Sequence, residues 1–292
     1  MSIRAAIHHL THYKYDRPVS LGPQIIRLRP APHSRTRVIS HSLKVSPAEH
    51  FVNHQQDPYG NWLARYVFPE MVNELKIEVD VVADMTVYNP FDFFVEESAE
   101  TWPFEFPPEQ REDVAPYLAA EPAGPRLQEF VRSISRQPHN TVDFLVALNR
   151  RLKEMIRYVT RMDAGVFTPE ETLGAAEGSC RDTAWLFVQV LRHIGLPARF
   201  VSGYLIQLKS DAAPPEISGG VAHDGAELHA WTEVYLPGAG WIGFDPTSGL
   251  LCGEGHLPLA AAPHFRSVAP ITGTVEPCAV GFSYAISLQR LA

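Results

Sequence analysis

Three cysteines in 292 residues make no disulfide framework, so the fold has to be held by packing and the thiols are left uncommitted. No uninterrupted apolar stretch reaches membrane length, and the first fifteen residues carry Arg4 and three histidines without the apolar core of a secretory signal. Basic charge is also scarce: 25 lysines and arginines against 33 acids give a net charge of −8, which argues against a nucleic-acid groove and against anionic membranes. Cytoplasm is the expected compartment, where reducing conditions would keep a thiol usable. Metal-type spacings such as C-x-x-C and H-E-x-x-H are missing, as is an Asp- and Gly-rich calcium loop. A zinc site drawn from Cys180, His223 and His229 has no close ligand pair to build on, so neither metal nor cofactor is expected. Repeats and low-complexity tracts are absent too, and the length leaves room for about two domains.

What is present begins with alternation. Leu75, Ile77, Val79, Val81 and Met85 oppose Lys76, Glu78, Asp80 and Asp84, the pattern of a half-buried antiparallel strand. With extended segments at 37–45 and 62–68 and a turn at Asp57-Pro58-Tyr59-Gly60-Asn61, residues 1–90 read as an antiparallel β-sandwich domain. Residues 91–125 are rich in proline and acid, yet Phe91, Phe93, Phe94, Trp102, Phe104 and Phe106 make them too aromatic for a solvated linker. They are expected to pack across a domain junction. Residues 126–292 then form the second domain. Its helices are predicted at 126–135 and 141–160, the latter behind the N-cap Asn140, and in a short segment opened by the capping box Thr168-Pro169-Glu170-Glu171. The alternating Val280, Phe282, Tyr284, Ile286 and Leu288 predict a final strand that docks on the amino-terminal sandwich or its junction.

Gly178-Ser179-Cys180-Arg181-Asp182 opens the most informative stretch. Ala184, Phe187, Val188, Leu191 and Ile194 recur at three- and four-residue steps, and Gly195-Leu196-Pro197 supplies a helix stop. Cys180 therefore falls in the first turn of a helix that is apolar nearly all round, where the helix dipole and unpaired N–H groups stabilise an anion. Gly178 allows close backbone approach. Asp182 reads as a first-turn carboxylate with a structural role, and Cys252 and Cys278 as packing thiols.

Further on, 228–236 and 241–245 predict two strands joined by Pro237-Gly238-Ala239-Gly240. If the loop holds an odd number of residues, Asp245 faces Trp231 and lies diagonal to His229 on one face; an even loop puts it on the wrong face. The glycines suit the odd loop. A lone strand histidine or an Asp-Pro turn former carries little by itself. Together with the thiol, the two complete a set in which an imidazole ionises a cysteine and a carboxylate fixes the imidazole.

These motifs, with 195–204 (Gly-Leu-Pro-Ala-Arg-Phe-Val-Ser-Gly-Tyr), His229-Ala230-Trp231-Thr232-Glu233-Val234 and Gly240-Trp241-Ile242-Gly243-Phe244-Asp245-Pro246-Thr247, resemble in order those of the bacterial transglutaminase-like proteins, also described as cysteine proteases, within the papain-like superfamily. Tyr15-Asp16-Arg17-Pro18 and Leu28-Arg29-Pro30 resemble the amino-terminal β region that such proteins carry. The resemblance implies an α+β fold: a papain-like core with the cysteine helix packed on an antiparallel sheet. It implies Cys180 as nucleophile, His229 as general base and acid, and Asp245 as orienter. After His256 the chain departs from the family's Gly-Arg-Asp-Tyr type segment, having Ala262-Pro263-His264-Phe265.

The expected chemistry is acyl transfer through a thioester, with a peptide or protein substrate. Hydrolysis is the first reading, amide exchange with an amine acceptor the alternative, and a non-catalytic peptide-binding module a third. Tyr204 and Trp231 are candidate substrate-binding residues, and the loop 209–226 is either a cover over the site or a solvated excursion.

Overall fold

The computed structural model describes residues 3–209 and 223–291. Two four-stranded antiparallel sheets form the amino-terminal part. In one, Ile3–Val19 lies between Val72–Met85 and Val280–Leu291, with Arg37–Ser46 beyond Val72–Met85. The other is ordered Ile271–Thr272, Gln24–Ile26, Trp62–Val67, Phe51–Gln56. Along Val72–Met85, Leu75, Ile77, Val79, Val81, Ala83 and Met85 are buried while the charged residues between them are not. They share one core with Ala5, Ile7, Ile26 and Tyr66, because a strand with one apolar face is stable only when that face is covered. The last strand of the chain thus belongs to the first sheet, with Tyr13 opposite Phe282 and Ile7 opposite Leu288.

The second part is a five-stranded antiparallel sheet, ordered Leu250–Leu251, Gly240–Asp245, Gly225–Leu236, Ala198–Gln207, His256–Ala262. The helix Cys180–His193 packs on it. Every residue from Asp182 to Arg192 is buried, as a helix apolar nearly all round requires. Thr232 Oγ1 donates to the Ala184 carbonyl at 2.9 Å, and Phe187 meets Phe244 edge-on. Gly195, at φ +90°, stops the helix, and the Leu196 N–H closes back on the Leu191 carbonyl at 2.9 Å. Among the described residues no helix is long and apolar enough to cross a membrane.

Two expectations shift in detail. The helix behind Asn140 is Thr141–Met155, ending short of 160, because Arg157-Tyr158 pairs in parallel with Glu177-Gly178 and tertiary pairing overrides the helical period. That pairing pins the segment that leads into Cys180. The aromatic stretch packs chiefly on the helical core: Trp102 stacks on Phe144 at 3.9 Å and Thr101–Trp102 pairs with His139–Asn140, whereas Phe91 and Phe94 stay exposed. The candidate cover loop runs mostly through 210–222, outside the described residues.

Candidate active site

The approach to Cys180 is built by local rules. Thr168 and Glu171 form the capping box of Pro169–Ala175, and Ala176, at φ 51°, turns the chain into Glu177-Gly178. A side chain at Gly178 would press to 3.0 Å from Asp182 Cβ and 3.3 Å from Thr172 Cγ2, so the close approach expected of this glycine is real. Ser179 is the N-cap and Cys180 the first helical residue, where the backbone N–H has no intrahelical acceptor.

Asp182 anchors this corner. Its oxygens accept from Ser179 N–H (2.9 Å) and Oγ (2.7 Å), Phe167 N–H (2.7 Å), and Arg161 Nε (3.2 Å) and Nη2 (3.0 Å). Burial favours the neutral acid, but Arg161 and these N–H donors outweigh it and hold the carboxyl below its usual range. Asp182 is committed to the scaffold, in line with its first-turn reading.

The hairpin delivers the other two groups. Leu236 pairs with Gly240, leaving Pro237, Gly238 and Ala239 as an odd loop with Gly238 at φ +81°. Thr232 pairs with Phe244, so Asp245 falls opposite Trp231 and diagonal to His229, on the shared face. His229 Nε2 lies 3.3 Å from Asp245 Oδ2, both side chains being 2% exposed. The Cys180 thiol acts electrostatically on the same ring. With Nε2 turned to Asp245, the buried Nδ1 closes no hydrogen bond and sits 3.9 Å from Glu227 Oε1. Burial works against an imidazolium here, but Asp245 and Cys180 overcome it and push His229 up to about 10.

Asp245 is saturated. Oδ1 accepts from Thr247 N–H at 2.9 Å and Oγ1 at 2.7 Å; Oδ2 faces His229 and, at 3.6 Å, His256 Nε2. Burial would raise its pKa, yet bonds from His229, His256 and Thr247 hold it far below the carboxylate range. The Asn149 amide donates to the Asp245 carbonyl at 3.3 Å and so fixes the backbone.

His229 and Asp245 are thus brought together, and Cys180 is near enough to act on the same ring. Tyr204 is not among them: it is fully buried in the amino-terminal core with its hydroxyl 2.8 Å from His9 Nδ1, so it has no surface to offer a substrate. Trp231 is 1% exposed, packed among Val201, Ala261 and Cys252 and against His256, and borders a cavity of about 260 Å³ with Arg35, Tyr88 and Glu233. It is a wall of the site rather than an open platform. Arg161, Asn149, Thr247 and His256 were not among the sequence candidates; only Thr247 had a local signal, its place two residues after an aspartate that can close an Asx turn. Tyr158 was missed too: its phenol is pushed up by burial and then by the charges of Cys180 and Glu227. His229, Asp245 and His256 offer ligand atoms within 4.8 Å of one another, the one metal-type cluster among the described residues.

Residues 128–246 match the transglutaminase-like superfamily, and residues 5–84 match the bacterial transglutaminase-like N-terminal region. The region 128–246 is therefore transglutaminase-like. A Cytophaga hutchinsonii crystal structure described as a "putative cysteine protease" superposes with a TM-score of 0.72 at 18% identity, covering 100% of this chain and 92% of that one. At that identity the likeness speaks to fold. An uncharacterized protein of Mycobacterium tuberculosis is 26% identical over 285 residues, 93% of this chain and 87% of that protein. One of Mycobacterium leprae is 26% identical over 294 residues, covering 99% of each. This transglutaminase-like chain has the fold of the papain-like thiol enzymes, an antiparallel α+β architecture with a β-sandwich ahead of the core.

Proposed function

We propose that the protein is a thiol acyl-transfer enzyme that hydrolyses peptide or carboxamide bonds through a Cys180 thioester. What supports this reading is His229 set 3.3 Å from Asp245, with Cys180 acting on the same ring. His229 takes the Cys180 proton, and the resulting thiolate attacks the substrate carbonyl. The oxyanion faces the Cys180 N–H at the positive end of the helix Cys180–His193. As the tetrahedral species collapses, the C–N bond breaks, His229 gives its proton to the departing amine, and the acyl group stays on sulfur. Water then attacks the thioester while His229 takes its proton; the C–S bond breaks and Cys180 is regenerated. Asp245 keeps the ring in one orientation and stabilises its positive charge throughout.

The test is to incubate wild type and Cys180→Ala with a peptide library plus a primary amine, and to read the products and the thioester by mass spectrometry. Hydrolysed products and a Cys180-linked acyl group from wild type alone are expected. Amine-bearing products would turn the assignment to amide exchange. Equal labelling of the two proteins would remove the enzyme reading and leave a peptide-binding module.

A further inference from the structure

His256 is the one strongly placed polar side chain at the site that the reaction above does not use. It opens the strand His256–Ala262 and follows a turn that cannot slide: the Ile206 N–H donates to the Gly255 carbonyl at 2.8 Å, and a Cβ on Gly255 would lie 2.4 Å from the Ile206 carbonyl. Its ring stands edge-on to Trp231, with centroids 5.2 Å apart, and near His229 at 6.1 Å. The side chain is 12% exposed. Its two nitrogens meet different groups. The Gly253 N–H donates to Nδ1 at 3.3 Å, whereas Nε2 faces Asp245 Oδ2 at 3.6 Å.

That pairing fixes the tautomer. A nitrogen that accepts from a backbone N–H carries no hydrogen, so the ring proton sits on Nε2 and points at the carboxylate. It also decides against the metal reading of His229, Asp245 and His256. A cation at Nε2 needs the proton on Nδ1, where it would meet the Gly253 N–H donor to donor. We infer that His256 is a positioning residue: its buried Nε2–H closes no hydrogen bond and, 3.6 Å from Oδ2 of Asp245, attracts that oxygen electrostatically and so helps hold the carboxylate that orients His229. The two Thr247 bonds fix only Oδ1. Without His256, Oδ2 would be steered by His229 alone, the group it is meant to steer. This inference rests on the acyl-transfer reading above.

The measurement is the rate of Cys180 alkylation by iodoacetamide across pH 5 to 10, which needs no substrate. Wild type, His229→Gln, His256→Phe and His256→Gln are compared, with far-UV circular dichroism as the folding check. Phenylalanine fills the space without a donor; glutamine keeps an N–H. The expected result is a drop of about tenfold near neutral pH for His256→Phe, as for loss of one polar contact to a charged group, with most of it recovered in His256→Gln. A merely space-filling role predicts the reverse order of the two variants. A folded His256→Phe with the wild-type profile would overturn the inference. If His229→Gln also leaves the profile unchanged, it is the acyl-transfer reading that falls. Should His256→Phe not fold, ¹⁵N spectra of the wild-type ring decide. A proton on Nε2 with bare Nδ1 is expected, and a proton on Nδ1, or stoichiometric zinc binding by calorimetry that His256→Gln abolishes, would overturn the assignment.

Discussion

Asp182 and Asp245 are both buried carboxylates near the same thiol, and both have their oxygens filled, but the donors differ in kind. Asp182 is met by Arg161, together with Ser179 and the Phe167 N–H. Asp245 is met by two histidines and by Thr247. An arginine partner makes a carboxylate a fixed strut, because a guanidinium does not give up its proton to a neighbour. Histidine partners make it a seat for a proton that comes and goes. One residue type, desolvated to a similar degree, thus builds the scaffold at the helix start and manages charge at the hairpin end.

Exchanging the two roles is the way to break this contrast. The largest effect is expected for Asp245→Asn, where turnover of any substrate found should fall by about 10⁴-fold through loss of the imidazole's orientation and charge partner. Steady-state kinetics check it, and circular dichroism should show the fold retained. Asp182→Ala should instead cost stability, about 3–5 kcal/mol in urea unfolding, by removing the carboxylate that Arg161 and the Ser179 and Phe167 N–H groups share. Arg161→Ala should cost a similar amount, and the double variant much less than the sum.

pH sharpens the comparison further. His229 is raised in the folded state from 6.5 to about 10, so its contribution to stability is complete below 6.5 and is lost as pH rises toward 10. Asp245 and Asp182 are both depressed from 3.8, so their contributions hold above that value and are lost on acidification. Urea midpoints of wild type should therefore decline on both sides, and Asp245→Asn should flatten the alkaline side while the acid decline due to Asp182 persists. The smallest effect is expected for Thr247→Val, about 1 kcal/mol from one lost hydroxyl bond to Oδ1, read as a several-fold fall in turnover.

Periodic features were legible before any coordinates. The cysteine helix follows from its three- and four-residue apolar spacing and its Gly195-Leu196-Pro197 stop, and the shared face of His229 and Asp245 follows from the parity of a glycine-rich loop. Asp245 turned out to satisfy two readings at once. Oδ1 closes the Asx turn with Thr247, and Oδ2 is left to face the histidine. What escaped were contacts between segments that share no period. Arg161 reaches Asp182 from an irregular loop, and His256 reaches Asp245 from a strand whose pairing shifts between Ser202 and Gly203. Tyr204 was misplaced for a related reason. Alternation says which side of a strand a residue takes, but not which neighbouring body covers that stretch of the sheet.

The pairing of Ile3–Val19 with Val280–Leu291 has a consequence for biogenesis. As the polypeptide leaves the ribosome, Ile3–Val19 can engage Val72–Met85 early, yet its other flank stays open until Val280–Leu291 emerges. During that interval a row of unmatched amides and carbonyls is available to any passing β-chain. Closure of the first sheet thus waits on a strand that follows the whole helical core in sequence.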